Sequence, residues 1–151
     1  MRLKIVSFLS LLFIALALGP AMAHLLELPN KINLSREDYL TVQQIYRGWA
    51  LLGIIIAGEL VSVGTLTIKV RHQPKAFLFA LTSLMCIIGT QIVFWTYTYP
   101  ANQATKNWTF LPEDWQTLRT SWEYSHAVGA GLGLVAMITL IISVLSLKEN
   151  R

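Results

Sequence analysis

The run SHAVGAGLGLVAMITLIISVLSL, residues 125–147, contains no acid, lysine or arginine, and its one histidine, His126, stands at its start. At about 1.5 Å of rise per residue, roughly 20 such residues cross about 30 Å of hydrocarbon. This stretch therefore reads as a transmembrane helix. Working outward, three further runs have the same character, at about residues 5–26, 48–68 and 76–99. The composition agrees: 54% of the 151 residues are apolar and 13% charged, against about a quarter charged in a typical soluble domain. An ordinary soluble enzyme is thereby excluded. The expectation is one integral membrane domain over residues 1–151, all-α, a four-transmembrane-helix bundle whose second and fourth helices extend beyond the membrane on the outer side.

The basic residues set the sidedness. Arg2 and Lys4, then Lys69, Arg71 and Lys75, then Lys148 and Arg151 fall in short segments on the side of the termini. The positive-inside rule puts that side in the cytoplasm, so the expected location is a cell membrane, in a bacterium the inner one. The opposite loops are longer and hold Trp49, Trp108, Trp115 and Trp122 close to the spans, where an aromatic belt is expected. The net charge of +4 comes from scattered residues and not from a tract, which argues against a nucleic-acid partner. Cys86 is the single cysteine and excludes an intramolecular disulfide and a thiolate metal cluster.

The first span has two readings. Arg2 and Lys4, an apolar core and Ala21-Met22-Ala23 fit a cleavable signal peptide, yet the apolar run continues through Leu25 and Leu26 as a true span does. Leu28-Pro29-Asn30 is expected to stop this helix. Ser35-Arg36-Glu37-Asp38 resembles a capping box, opening a helix that runs through Leu40, Val42, Ile45 and Trp49 straight into span two. Pro112-Glu113-Asp114 places proline in a first turn with two acids at the positive end of the helix dipole, so span four begins above the membrane.

Chemistry concentrates at the outer end. Trp115, Arg119, Trp122 and His126 recur at intervals of four, three and four, which stacks them on one helix face, and Glu123 lies one turn from both Arg119 and His126. Gly129 and Gly133 continue the stripe, so this face turns into the bundle. Against that, the first reading of Trp115 and Trp122 is as interfacial anchors, and that of Arg119 with Glu123 is a solvated ion pair. Span one runs outward and span four inward, so His24-x-x-Glu27 and Glu123-x-x-His126 fall at one level. His24, Glu27, His126 and Glu123 are the candidate metal ligands, and a polar pocket without metal is the other reading. No cofactor is favoured. Gln91 on span three counts to the same level. Glu59, an intramembrane carboxyl about 15 Å deeper than Trp49, is either a functional group or interhelical glue that bonds Ser62 or a hydroxyl on span three.

The stretch Tyr99-Pro100-Ala101-Asn102 through Trp108, then Pro112-Glu113-Asp114-Trp115, Leu118-Arg119 and Trp122-Glu123-Tyr124-Ser125-His126-Ala127, resembles the small four-helix membrane proteins grouped with the anthrone oxygenases. Most of that group is bacterial and has no assigned function. The matching positions are Asn102, Trp108, Arg119, Trp122 and His126, whereas Val128, Gly129 and Ala130 stand where oxygenase members commonly carry an arginine. The resemblance implies oxygenation of an electron-rich polycyclic phenol by dioxygen without metal or flavin.

Three functions follow as expectations. In the first, a lipophilic phenol or quinol enters from the outer leaflet and is held by Asn102, Trp108, Trp122, Trp95, Tyr97 and Gln91. His126 then takes its proton with help from Glu123, and Arg119 stabilises the anion. The second is a metal- or haem-binding redox module that uses His24 and His126. The third is a non-catalytic membrane subunit or assembly factor, its polar residues serving as glue between helices.

Overall fold

Long apolar segments satisfy their backbone within themselves only as helices, and the computed structural model, which describes residues 2–148, consists of helices and turns. The element order is α1 (Arg2–Lys31), α2 (Arg36–Gln43), α3 (Leu52–Lys69), α4 (Pro74–Val93), α5 (Tyr99–Ala104) and α6 (Trp115–Leu145). Single 3₁₀ turns, Gln44–Tyr46 and Trp49–Leu51, link α2 to α3, and a π-helical segment, Phe94–Thr98, joins α4 to α5. Four stretches are long and apolar enough to cross a membrane: Leu3–Lys31, Trp49–Lys69, Pro74–Ala104 and Trp115–Leu145. The chain is thus an all-α bundle of four such helices. Of the basic residues on which the expected sidedness rests, Arg151 lies outside the described residues, as does the side chain of Arg2.

Half of the bundle, nearer the termini, is closed by Ile14, Val63, Leu66, Ala80, Ala136 and Leu140, all at or below 1% exposure. Lipid gives helices no hydrophobic reason to associate, so close approach and hydrogen bonds do the work. A β-carbon on Gly58 would come within 2.6 Å of the Phe13 ring, and one on Gly133 within 3.3 Å of Leu18. Ser143 Oγ on α6 donates to the Ala76 carbonyl at 2.7 Å. Gly129, expected to share this role, has nothing within 4 Å of where its β-carbon would stand. Ile14 belongs to this core, so α1 packs as a wall of the bundle.

Four local expectations are corrected. Pro29 does not stop α1, which continues to Lys31; a proline there forfeits one bond, to the Leu25 carbonyl, near an end where carbonyls are free anyway. Ser35 does cap α2, accepting from Asp38 N at 3.2 Å, but the helix does not run into span two. Gly48, in a left-handed conformation at φ 88°, breaks it, so the extension of helix two is a separate helix folded over the bundle end. Pro112 is not a first-turn residue. Its carbonyl accepts from Trp115 N at 3.2 Å, and α6 begins at Trp115, its preceding residue Asp114 making no side-chain cap. Span three runs through Pro100 to Ala104, because the π-helical segment just before the proline rearranges the bonding where its missing N–H would break the α pattern.

Candidate functional site

The second half of the bundle closes around aromatic rings. Tyr39, Ala101, Trp108, Leu111, Trp115 and Trp122 form a buried cluster, held by one amide. Asn102 Oδ1 accepts the indole N–H of Trp108 at 3.2 Å and that of Trp122 at 2.8 Å. Trp108 reaches this position at the end of three consecutive left-handed residues, Lys106, Asn107 and Trp108, with φ of 50°, 56° and 58°. Such a conformation costs roughly 1–2 kcal/mol for each non-glycine residue, offset here by the burial and bonding of the tryptophan. The expected belt residues Trp108, Trp115 and Trp122 therefore face inward: the indole N–H groups of Trp108 and Trp122 bond Asn102, and Trp115 packs against Tyr39 and Arg119.

Beneath this cluster lie the two histidines. His24 and His126 stack with ring centres 4.1 Å apart and planes 23° from parallel. Trp122 packs edge-on against both, 5.1 Å from His24 and 4.2 Å from His126. Tyr46 and Trp49 complete the enclosure at 4.6 and 5.4 Å from His24. The shared level expected from antiparallel helices is thus realised, with His24 buried and His126 half-buried.

Behind Trp122 stands a residue that sequence reasoning left in a loop. Lys31 is 3% exposed; its Nζ donates to Tyr46 Oη at 2.8 Å, lies 3.1 Å from Glu123 Oε1 and 3.7 Å from Glu27 Oε2, and sits 4.9 Å over the Trp122 ring. Tyr46 in turn donates to Glu27, and Tyr39 donates to Glu123 Oε1 at 2.9 Å. Burial first, and then Glu123 beside Tyr39 and Glu27 beside Tyr46, hold both phenols well above the ordinary tyrosine range. Among the described residues, His24 Nδ1 and Glu123 Oε2 are buried without a hydrogen-bond partner. The signal for Lys31 was its spacing: His24, Glu27 and Lys31 at i, i+3 and i+7 share one helix face, provided that the helix survives Pro29.

Several expected roles change place. Glu123 faces Lys31 and Tyr39 and not His126. Arg119 makes no ion pair with Glu123 among the described residues; its guanidinium lies 4.6 Å over Trp115 and donates to the Leu34 carbonyl at 2.8 Å. It lies two turns above His126, about 10 Å along the axis, so the cation beside the imidazole enclosure is Lys31. Trp95 and Tyr97 are 59% and 54% exposed on the outside of the bundle, because the π-helical segment that contains them resets the helix phase. Gln91 is half-buried, and its amide donates to Thr90.

Glu59 faces inward at 6% exposure, but the Ser62 hydroxyl bonds its backbone carbonyl and not its carboxyl. Gly58 meets Phe13, eleven residues before His24 on α1, so Glu59 lies about 16 Å below the imidazoles, too deep to join them. His24, Glu27, His126 and Glu123 do not converge either. The carboxylates close on Lys31, and among the described residues no group of three or more His, Cys, Asp or Glu could hold a metal. Stacked rings also send their in-plane lone pairs side by side, whereas zinc needs them to meet at about 2.0–2.1 Å. Compared with family models, curated proteins and solved structures, the chain matches none.

Proposed function

We propose that this is a multi-pass protein of a cell membrane, termini in the cytoplasm, that binds a lipophilic phenol or quinol at the His24–His126 pair and oxidises it with dioxygen without a cofactor. The observation that carries the reading is the enclosed imidazole pair with a buried ammonium beside it. Two imidazoles packed among tryptophans are candidate bases for the proton of an acidic phenol, and the Lys31 ammonium 4.9 Å over the Trp122 ring, though already paired with Glu27 and Glu123, is the cation beside them. His126, the more exposed of the pair, meets the ligand. Trp122 walls the pair from the side, and Lys31 takes the role that the sequence alone assigned to Arg119.

For an anthrone the atoms balance simply. His126 removes one proton, the anion gives its electrons to dioxygen and forms a carbon–oxygen bond, and the peroxide takes that proton back from His126 as a hydroperoxide. Loss of one water leaves the quinone, so one dioxygen enters and one water departs.

Oxygen uptake by membranes given anthrones and hydroquinones tests the reading. Wild type should consume oxygen and His126→Ala should lose about 10² to 10⁴-fold. No uptake by wild type overturns the reading in favour of a non-catalytic subunit, and uptake that a chelator abolishes overturns it in favour of a redox module. Orientation is tested separately by reporter fusions at Gln73 and Lys106, which should give opposite signals.

A further inference from the structure

One segment of the outer end is tied to the bundle by side chains and carries part of the wall around the imidazoles. Residues 35–47, helix α2 with the 3₁₀ turn Gln44–Tyr46, run from the turn after α1 to Gly48. Tyr46 lies on this segment with its ring 4.6 Å from His24, and Tyr39 packs edge-on against Trp108 at 5.2 Å. Gly48 holds φ 88°, a conformation that glycine alone adopts freely, and nothing stands within 4 Å of where its β-carbon would lie. The joint at the end of the segment is therefore open, as a hinge requires. What holds the segment down is polar. Arg36 donates to the Leu111 carbonyl at 2.6 Å, Gln44 to the Trp108 carbonyl at 2.9 Å and Tyr39 to Glu123 at 2.9 Å, besides the bonds of Tyr46 described above. Water can take the place of each partner once the segment lifts.

One group on the segment opposes closure. Gln43, one turn from Tyr39 on the same face of α2, is 3% exposed, and among the described residues neither atom of its amide has a hydrogen-bond partner. The amide comes near the Tyr39 hydroxyl without reaching a bond to it. A buried amide left unmet has given up water for nothing, and lifting the segment returns that water.

We infer that residues 35–47 are a gate over the His24–His126 site, turning about Gly48, and that Gln43 biases it toward opening. Opening carries Tyr46 away from His24 and Tyr39 away from Glu123, while Trp49, beyond the hinge, stays with the bundle. A ligand then reaches His24, whose Nδ1 has no hydrogen-bond partner among the described residues, from the loop side and past the aromatic cluster. What the gate admits rests on the reading of the pair as a phenol or quinol site; the movement itself does not.

The test needs no turnover. Leu111 is 4% exposed and its carbonyl is bonded by Arg36, so a thiol placed there reports whether the gate lifts. Full-length protein carrying Cys86→Ser and Leu111→Cys, reconstituted in liposomes, is treated with a water-soluble maleimide. Labelling should proceed without denaturant. Gln43→Met keeps the bulk of the side chain but has no amide to hydrate, and should slow labelling by about tenfold, the order that one unmet buried polar group contributes to an equilibrium. Tyr39→Phe, which loses the bond to Glu123, should speed it by a similar factor. Ser143→Ala removes the bond from α6 to the Ala76 carbonyl at the other end of the bundle and should leave labelling unchanged, because local opening does not require global unfolding. No labelling, labelling unchanged by Gln43→Met, or labelling raised as much by Ser143→Ala as by Tyr39→Phe overturns the gate. Absence of oxygen uptake by wild type overturns the oxygenase reading instead, and the labelling result stands apart from it.

Discussion

The imidazole of His24 lies against that of His126 at 4.1 Å, although the two belong to helices at opposite ends of the chain. The contact joins α1 to α6 at the level where the tight apolar core gives way to the aromatic cluster. Ring stacking contributes about 0.5–1.5 kcal/mol beyond area burial. His24→Phe keeps a ring in that place and should leave the melting temperature in detergent close to wild type. His24→Ala should lower it, and equal melting temperatures for the two variants would show that the stack is not what joins the helices.

Lys31 is paired with carboxylates where water is scarce. Removing one partner of a buried ion pair costs about 3–5 kcal/mol, because the other charge stays buried alone. Lys31→Met should be destabilised by that order in unfolding by denaturing detergent. Adding Glu123→Leu to it should recover much of the loss, since the stranded carboxylate is then gone; a double variant as unstable as the sum of the singles would refute the pairing.

Asn102 offers one oxygen to two indoles. Asn102→Leu strands both N–H groups, at about 1–3 kcal/mol each for buried donors. Tryptophan emission should shift to the red as the aromatic cluster loosens, and stability should fall, while a reporter at Lys106 should still mark the same side of the membrane.

Tyr39 and Tyr46 are both pushed above the usual tyrosine value, which is about 10 in an unfolded chain. A raised acid holds its proton more tightly when folded, so its contribution is complete below about pH 10 and is lost as pH rises beyond that. The melting temperature should therefore drop steeply above about pH 10. Tyr39→Phe and Tyr46→Phe should each flatten that drop, as titration followed by circular dichroism would reveal.

The four spans were legible because a bilayer demands long uncharged runs, and the level of His24 and His126 was legible because antiparallel helices rise at one rate. What was hidden depended on breaks in helical phase. Pro29 concealed Lys31, since a proline near a helix end costs one bond and not the helix. The π-helical segment at Phe94–Thr98 carries Trp95 and Tyr97 on the outside of the bundle, where the sequence reading had them holding the ligand. Asn102, Trp108 and Trp122 were singled out in the sequence only as positions of a resemblance, and no spacing rule predicts that a single carbonyl serves two tryptophans across a loop of left-handed residues.

The ion network also imposes an order on biogenesis. Glu27 and Lys31 emerge with the first helix, but Glu123 belongs to the last and Tyr46 to the segment between the first two spans. A chain synthesised only through α4 therefore carries Lys31 without its closest carboxylate, on a surface that the sixth helix has yet to cover. Until α6 docks, the Lys31 ammonium has Glu27 beside it but not Glu123, so the contact that shapes the site is completed only when the last helix closes on the first.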